Sequence, residues 1–158
     1  MTENREITME KAKANRRTWV VVNYLCLLIM NVCFYFVFER PDMTHVVDVV
    51  GLAALAVVVI SFFRLHAKTG LWKLTHAKTD ALDERQVQVT HTALSSSYGW
   101  FAIICLVIML VHAVLYRLVP GLNFVITVPL VGSLIYLAHT LPGSMLAWTE
   151  TEVPGEVQ

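Results

Sequence analysis

Six histidines and one compact charged stretch are the residues of this chain whose types suit chemistry. Imidazole ligates metals and haem iron and carries protons near neutral pH. His45 and His112 fall near one set of ends of four apolar runs, and His66 and His139 near the other. Each pair comes from two different runs, the arrangement a bis-histidine haem in a helical bundle requires. The spacing speaks against it. His45 and His66 are twenty-one residues apart, about 31 Å along a helix. Both would lie at headgroup level, where no apolar walls enclose a haem. His76 and His91, with Asp80 and Asp83, match no zinc spacing. The sequence therefore predicts no cofactor and no metal, with haem or another pigment as a lesser alternative. His45 and Asp48 are three apart and share a helix face. They read as an interfacial pair reaching for water, or as a proton or cation site at a mouth.

The charged stretch is Lys78-Thr79-Asp80-Ala81-Leu82-Asp83-Glu84-Arg85-Gln86. Thr79 or Asp80 suits the start of a helix, and Asp83 and Glu84 then fall in its first turn, where the helix dipole favours negative charge. Arg85 can reach a phosphate or an acidic group, so Asp83, Glu84 and Arg85 are candidates for partner or lipid contact. No Gly-rich phosphate loop, serine elbow, paired histidines at helical spacing or Cys-His arrangement is present. Ser95-Ser96-Ser97 is a polar rim before an apolar run. Enzymatic activity is not expected. Cys26, Cys33 and Cys105 all lie inside apolar runs and read as small apolar side chains. The net charge of zero gives no basic field for nucleic acid.

These residues are set among four long, nearly uncharged runs. A soluble domain is about 25% charged; this chain of 158 residues is 15% charged, and its charges crowd between the runs. A charge at mid-bilayer costs about 2.5–3.5 kcal/mol, so this distribution predicts an all-α polytopic membrane protein. Twenty residues of helix cover about 30 Å, the thickness of the hydrocarbon core. The expected spans are 19–38, 45–63, 98–116 and 122–141. A leader, 1–18, precedes them, a loop, 64–97, divides them into two hairpins, and an acidic tail, 142–158, follows. The leader suits a surface helix or a disordered segment equally. Asn23 and Asn31, eight apart, are expected to face the bundle interior and bond across helices. Gly51, Ala53, Ala54 and Ala56 form a thin section for close helix approach. Pro129 is expected to kink the fourth helix and Pro142-Gly143 to end it. With no proline or glycine from Asp80 to Tyr98, the third helix is expected to start near Asp80 and run on into the membrane.

The leader and the central loop hold five basic residues each, and the two short turns hold one each, Arg40 and Arg117. Basic residues mark the cytoplasmic side, so both termini and the central loop are expected there.

The step Asp83-Glu84-Arg85, placed before the third of four apolar runs in a chain of this length, resembles a motif in a family of small bacterial integral membrane proteins of unknown function. After it this chain reads Gln86-Val87-Gln88-Val89, where the family tends toward isoleucine and small residues. The resemblance implies membrane residence and bacterial origin, hence the cytoplasmic membrane, and no activity. The leading functional reading is a non-enzymatic accessory subunit packing beside other membrane proteins or in a homo-oligomer. A small transporter or channel, and a regulator acting through the central loop, are the alternatives.

Overall fold

The computed structural model describes residues 2–39, 44–76, 82–118 and 128–150, and all its regular structure is helical. Helix α1 spans Thr2–Glu39, α2 Thr44–Phe62, α3 Leu71–His76, α4 Glu84–Leu118 and α5 Val128–Thr149. Four of these, within Ile7–Val37, His45–Ala67, Glu84–Val114 and Pro129–Thr149, are long and apolar enough to cross a membrane. The expected all-helical architecture with four membrane-spanning helices is the one observed.

The helices are longer than the spans. No glycine or proline interrupts α1, so its charged first turns and its apolar run form one rod of 38 residues, about 57 Å. The leader is thus helical and continuous with the first span. Helix α4 has 35 residues and likewise projects beyond an apolar core about 30 Å thick. It starts at Glu84. Asp83 caps it: the Gln86 N–H donates to Asp83 Oδ1 at 2.7 Å, and the Asp83 N–H donates back to Gln86 Oε1 at 3.3 Å. This is a reciprocal capping box. Thr79 and Asp80, the caps expected from sequence, lie outside the described residues, as does the turn 40–43.

The central loop is shorter than its charges suggest. Helix α2 continues through a π-helical turn, Phe63–Ala67, closed by the Lys68 N–H on the Phe63 carbonyl at 3.0 Å. Gly70 then takes a left-handed φ of 73°, a conformation glycine adopts without steric cost, and its carbonyl accepts from the Leu74 N–H to start α3.

Two prolines behave differently from expectation. Pro129 is the second residue of α5, where no helical N–H is required, and its neighbours to 127 lie outside the described residues. Pro142 and Gly143 lie inside α5, which runs on to Thr149. The helix survives them because its end is held from outside. Lys13 Nζ donates to the Thr149 carbonyl at 3.2 Å, Arg16 Nη2 to Glu150 at 2.8 Å, and Arg17 Nη2 to Trp148 at 3.1 Å. Three cations thus satisfy the last carbonyls of α5, where the helix dipole favours positive charge.

Helix α1 packs against both α2 and α5, and α4 packs against α5. At the basic end, Val20, Leu65, Leu71, Leu146 and Ala147 join α1, the π turn, α3 and α5, and Ala93 of α4 closes the cluster. Deeper in, Leu27, Met30, Ala54 and Val58 seal α1 to α2. Gly51 supplies the thin section there: a Cβ on it would sit 3.3 Å from Cys33 Cβ.

Candidate functional site

Inside the bundle the apolar runs carry a few polar residues, and the fold brings them together. Asn23 and Ser61 are fully buried. Asn23 Oδ1 accepts from Ser61 Oγ at 2.7 Å and from the Tyr136 hydroxyl at 2.9 Å. One side chain of α1 therefore joins α2 and α5. One turn of helix beyond, toward the basic end, the Tyr24 hydroxyl donates to Ser144 Oγ at 2.8 Å and lies 3.4 Å from Thr140 Oγ1. Toward the other end, Asn31 Nδ2 donates to Ser133 Oγ at 2.7 Å and to the Leu27 carbonyl at 2.8 Å. Asn23 and Asn31 thus do what their spacing predicts. Buried polar groups that find partners link helices, whereas unpaired ones are costly. Asn23 Nδ2 and His66 Nδ1 are the two buried atoms of this thread without a hydrogen-bond partner.

His66, expected near a span end, is buried between helices there, with Nε2 3.2 Å from the Thr140 carbonyl. A carbonyl only accepts, so Nε2 carries the proton. The ring stacks on Phe62 with centroids 5.1 Å apart. Gly143 makes room for it: a Cβ there would lie 2.9 Å from His66 Cδ2. The π turn inserts one extra residue into the end of α2, and His66 is in that insertion. The sequence shows apolar residues and histidines there but no sign of a widened turn.

The other candidates stay apart. His139 is exposed on α5 and bonds its own helix at the Ile135 carbonyl, 2.9 Å away, so it does not pair with His66. His45 and Asp48 are both exposed, and Asp48 borders a cavity of about 300 Å³ with Cys33, Val47 and Gly51. His112 is half-buried on α4. Asp83 serves as the cap described above, and Glu84 and Arg85 are exposed in the first turn of α4. Among the described residues, no three His, Cys, Asp or Glu side chains converge as metal ligands. The cysteines are free, with Cys33 buried and Cys26 and Cys105 half-buried.

Helix α4 contrasts with this interior. Its buried residues among those described, Thr90, Ala93 and Ser97, all precede the apolar run. From Tyr98 onward the helix turns outward a long apolar surface that includes Trp100, Ile103, Leu106, Met109 and Leu110. Only 6% of its span is buried within the chain, against 50% of the span in α5. The Asp83-Glu84-Arg85 resemblance rests on those residues and the helix layout, since the chain matches no family model, no curated protein and no solved structure.

Proposed function

We propose that this protein is a non-enzymatic accessory subunit of a membrane assembly and that the span of α4 is its docking helix. The observation that carries the reading is the 6% burial of that span within the chain. The other three helices are linked to one another by Asn23, Ser61, Tyr136 and Asn31, and 17–50% of their spans is buried. Helix α4 is anchored to that unit through Val89 and Ala93 at its polar end, leaving the apolar length open to a neighbouring helix. Its exposed face is rich in Leu, Ile, Val and Met and has no charge between Tyr98 and Tyr116. With ten basic residues in the leader and central loop against two in the turns, the basic end faces the cytoplasm, and so do both termini. The membrane is the cytoplasmic membrane of a bacterium, in line with the family that the Asp83-Glu84-Arg85 step resembles.

The test is a photo-reactive residue placed at Leu106 or Met109 of α4 in native membranes, with the same residue at Leu28 of α1 as control. All three positions are exposed. A discrete protein adduct from α4 and none from Leu28 is expected, with the same partner recovered stoichiometrically in mild detergent. Lipid adducts alone from all three positions would sink the reading. A small transporter is the second reading, favoured by the two buried unpaired atoms, Asn23 Nδ2 and His66 Nδ1. Solute flux in vesicles holding only this chain would establish it.

A further inference from the structure

A cavity of about 350 Å³ lies between α3, α4 and α5, beside the basic end of the bundle. Two histidines reach it from different helices, His76 from α3 and His139 from α5. His76 Nδ1 lies 3.0 Å from the Trp72 carbonyl, and His139 Nδ1 lies 2.9 Å from the Ile135 carbonyl. A carbonyl cannot donate, so Nδ1 carries a proton in each ring, with Thr75 Oγ1 a second neighbour of His76 Nδ1 at 3.0 Å, and a ring with that single proton leaves its Nε2 lone pair available. The hydroxyls on the cavity wall have also spent their protons. Thr75 Oγ1 donates to the Leu71 carbonyl at 3.1 Å, and Ser97 Oγ donates to the Ala93 carbonyl. Pro142 has no N–H to give, so the Ala138 carbonyl, four residues back on the same wall, loses its helical donor. Among the described residues the cavity is lined by acceptors, and the Tyr98 hydroxyl is the one side-chain donor left.

Such a lining selects its occupant. An anion or a carbonyl-only molecule finds almost nothing to donate to it. A bare divalent cation would meet two neutral imidazoles and, among the described residues, no carboxylate within a largely apolar wall, where its charge is costly. The volume is that of a small organic ligand. Phe101 and Tyr98 supply aromatic surface for a ring, and His76 is itself backed by Trp72, stacked at 4.0 Å. We propose that this cavity binds an uncharged aromatic ring carrying hydroxyl groups, each donating to a histidine Nε2.

The experiment uses the full chain in nanodiscs at about pH 8, where free imidazole is neutral. The probes are 4-hexylresorcinol and its dimethyl ether, which share ring and chain and differ in their donors. Calorimetric titration against empty nanodiscs separates binding from partition. The expected result is saturable, stoichiometric binding of the resorcinol, with the ether about ten-fold weaker or more, as lost charge-neutral hydrogen bonds require. His76→Phe and His139→Phe should each abolish the difference between the probes. His76→Gln and His139→Gln, which keep an acceptor oxygen at the same reach, should restore most of it. Equal uptake of both probes by the wild-type chain overturns the proposal. So does a probe difference that survives both phenylalanine variants. Stoichiometric, histidine-dependent binding of Zn²⁺ with no saturable resorcinol binding would assign the cavity to a metal and overturn it as well. If the phenylalanine variants do not fold, the comparison of the two probes on the wild-type chain still decides.

Discussion

Helices α1 and α4 are nearly equal in length and both project from the apolar core at the basic end, yet they are used in opposite ways. Along α1, Asn23, Tyr24 and Asn31 turn to one side, and each finds a partner on α2 or α5. Along the span of α4, the side chains between Tyr98 and Val114 are mostly apolar and turn outward. In lipid, burying one apolar side chain against another earns little, because acyl chains are as apolar as leucine; helices associate through close packing and hydrogen bonds instead. Three helices here have both devices. The span of α4 packs on α5, yet among the described residues its last buried side chain is Ser97 and most of its apolar length stays uncovered. A helix with lipid-compatible sides and a firm anchor at one end suits a helix that docks elsewhere.

The comparison breaks most visibly at glycines. Gly143→Leu forces side-chain atoms into the His66 ring, which cannot yield because Nε2 is bonded to Thr140 and the ring is stacked on Phe62. The expected cost is at the upper end for overpacking, about 3 kcal/mol, seen as loss of a monodisperse peak in detergent. Gly132, on the same helix, has open space where its Cβ would be, and Gly132→Ala should leave the peak and the thermal midpoint unchanged. Equal damage from both would mean that the tight seat of His66 is not what holds α5.

Next in size is Asn23→Leu. Ser61 keeps its second bond, to the Val58 carbonyl, but the Tyr136 hydroxyl loses its acceptor in an apolar interior. The expected destabilisation is about 1–2 kcal/mol, read as a lower midpoint of unfolding in a denaturing detergent. A polar substitution of similar chemistry on α4, Leu106→Asn, should shift that midpoint far less, because its surroundings are not protein.

The same contrast explains what could be read in advance. The spans were legible because a bilayer forbids charge over about 30 Å, a constraint written on consecutive residues. Asn23 and Asn31 were legible because a polar side chain in an apolar run has few destinations, and eight-residue spacing puts both on one face. The partners were not legible. Nothing in the order of residues pairs Asn23 with Ser61 and Tyr136 rather than with another hydroxyl. The reach of α5 past Pro142-Gly143 was hidden for a related reason: the local signal to stop is real, but Lys13, Arg16 and Arg17 come from over a hundred residues away to hold the end. The cavity between His76 and His139 was missed because the two are sixty-three residues apart and only the placement of α3 against α4 and α5 joins them. Their value as acceptors depends on backbone carbonyls, which no sequence displays.

Arg17→Ala tests the held end directly. It removes two bonds to the Trp148 carbonyl and a cation lying 5.0 Å from the Trp148 ring centroid. Arg17 is partly exposed to solvent, so about 0.5–1 kcal/mol is expected, again as a midpoint shift. The gap between variant and wild type should narrow in high salt, which screens such contacts. A gap indifferent to salt would assign the effect to packing of the arginine stem.

Asp83→Ala should act locally. It breaks the capping box, worth about 1 kcal/mol of helix stability, at an exposed helix start. Backbone hydrogen exchange at Gln86 and Val87 is expected to accelerate several-fold, while the global midpoint stays within error of the wild type. If a partner found by cross-linking is lost in Asp83→Ala although α4 remains inserted, the first turn of α4 is itself a contact, and the regulator reading gains over docking through the span alone.

The smallest effect on stability is expected from Gly99→Ala, and it is the most discriminating for α4. Gly99 is exposed, and a Cβ there would meet no heavy atom of the chain within 4 Å. By helix propensity alone alanine is better than glycine by up to about 1 kcal/mol, so the isolated protein should be unchanged or slightly more stable. A glycine beside the start of an apolar span is also where a second helix comes closest. If α4 docks through this face, the methyl group lowers recovery of the partner in mild detergent while the thermal midpoint of the purified chain holds or rises. If recovery is untouched, the docking face lies on the Leu106 and Met109 side, and moving the same small perturbation along α4 by Ala102→Leu and Ala113→Leu would trace its edge.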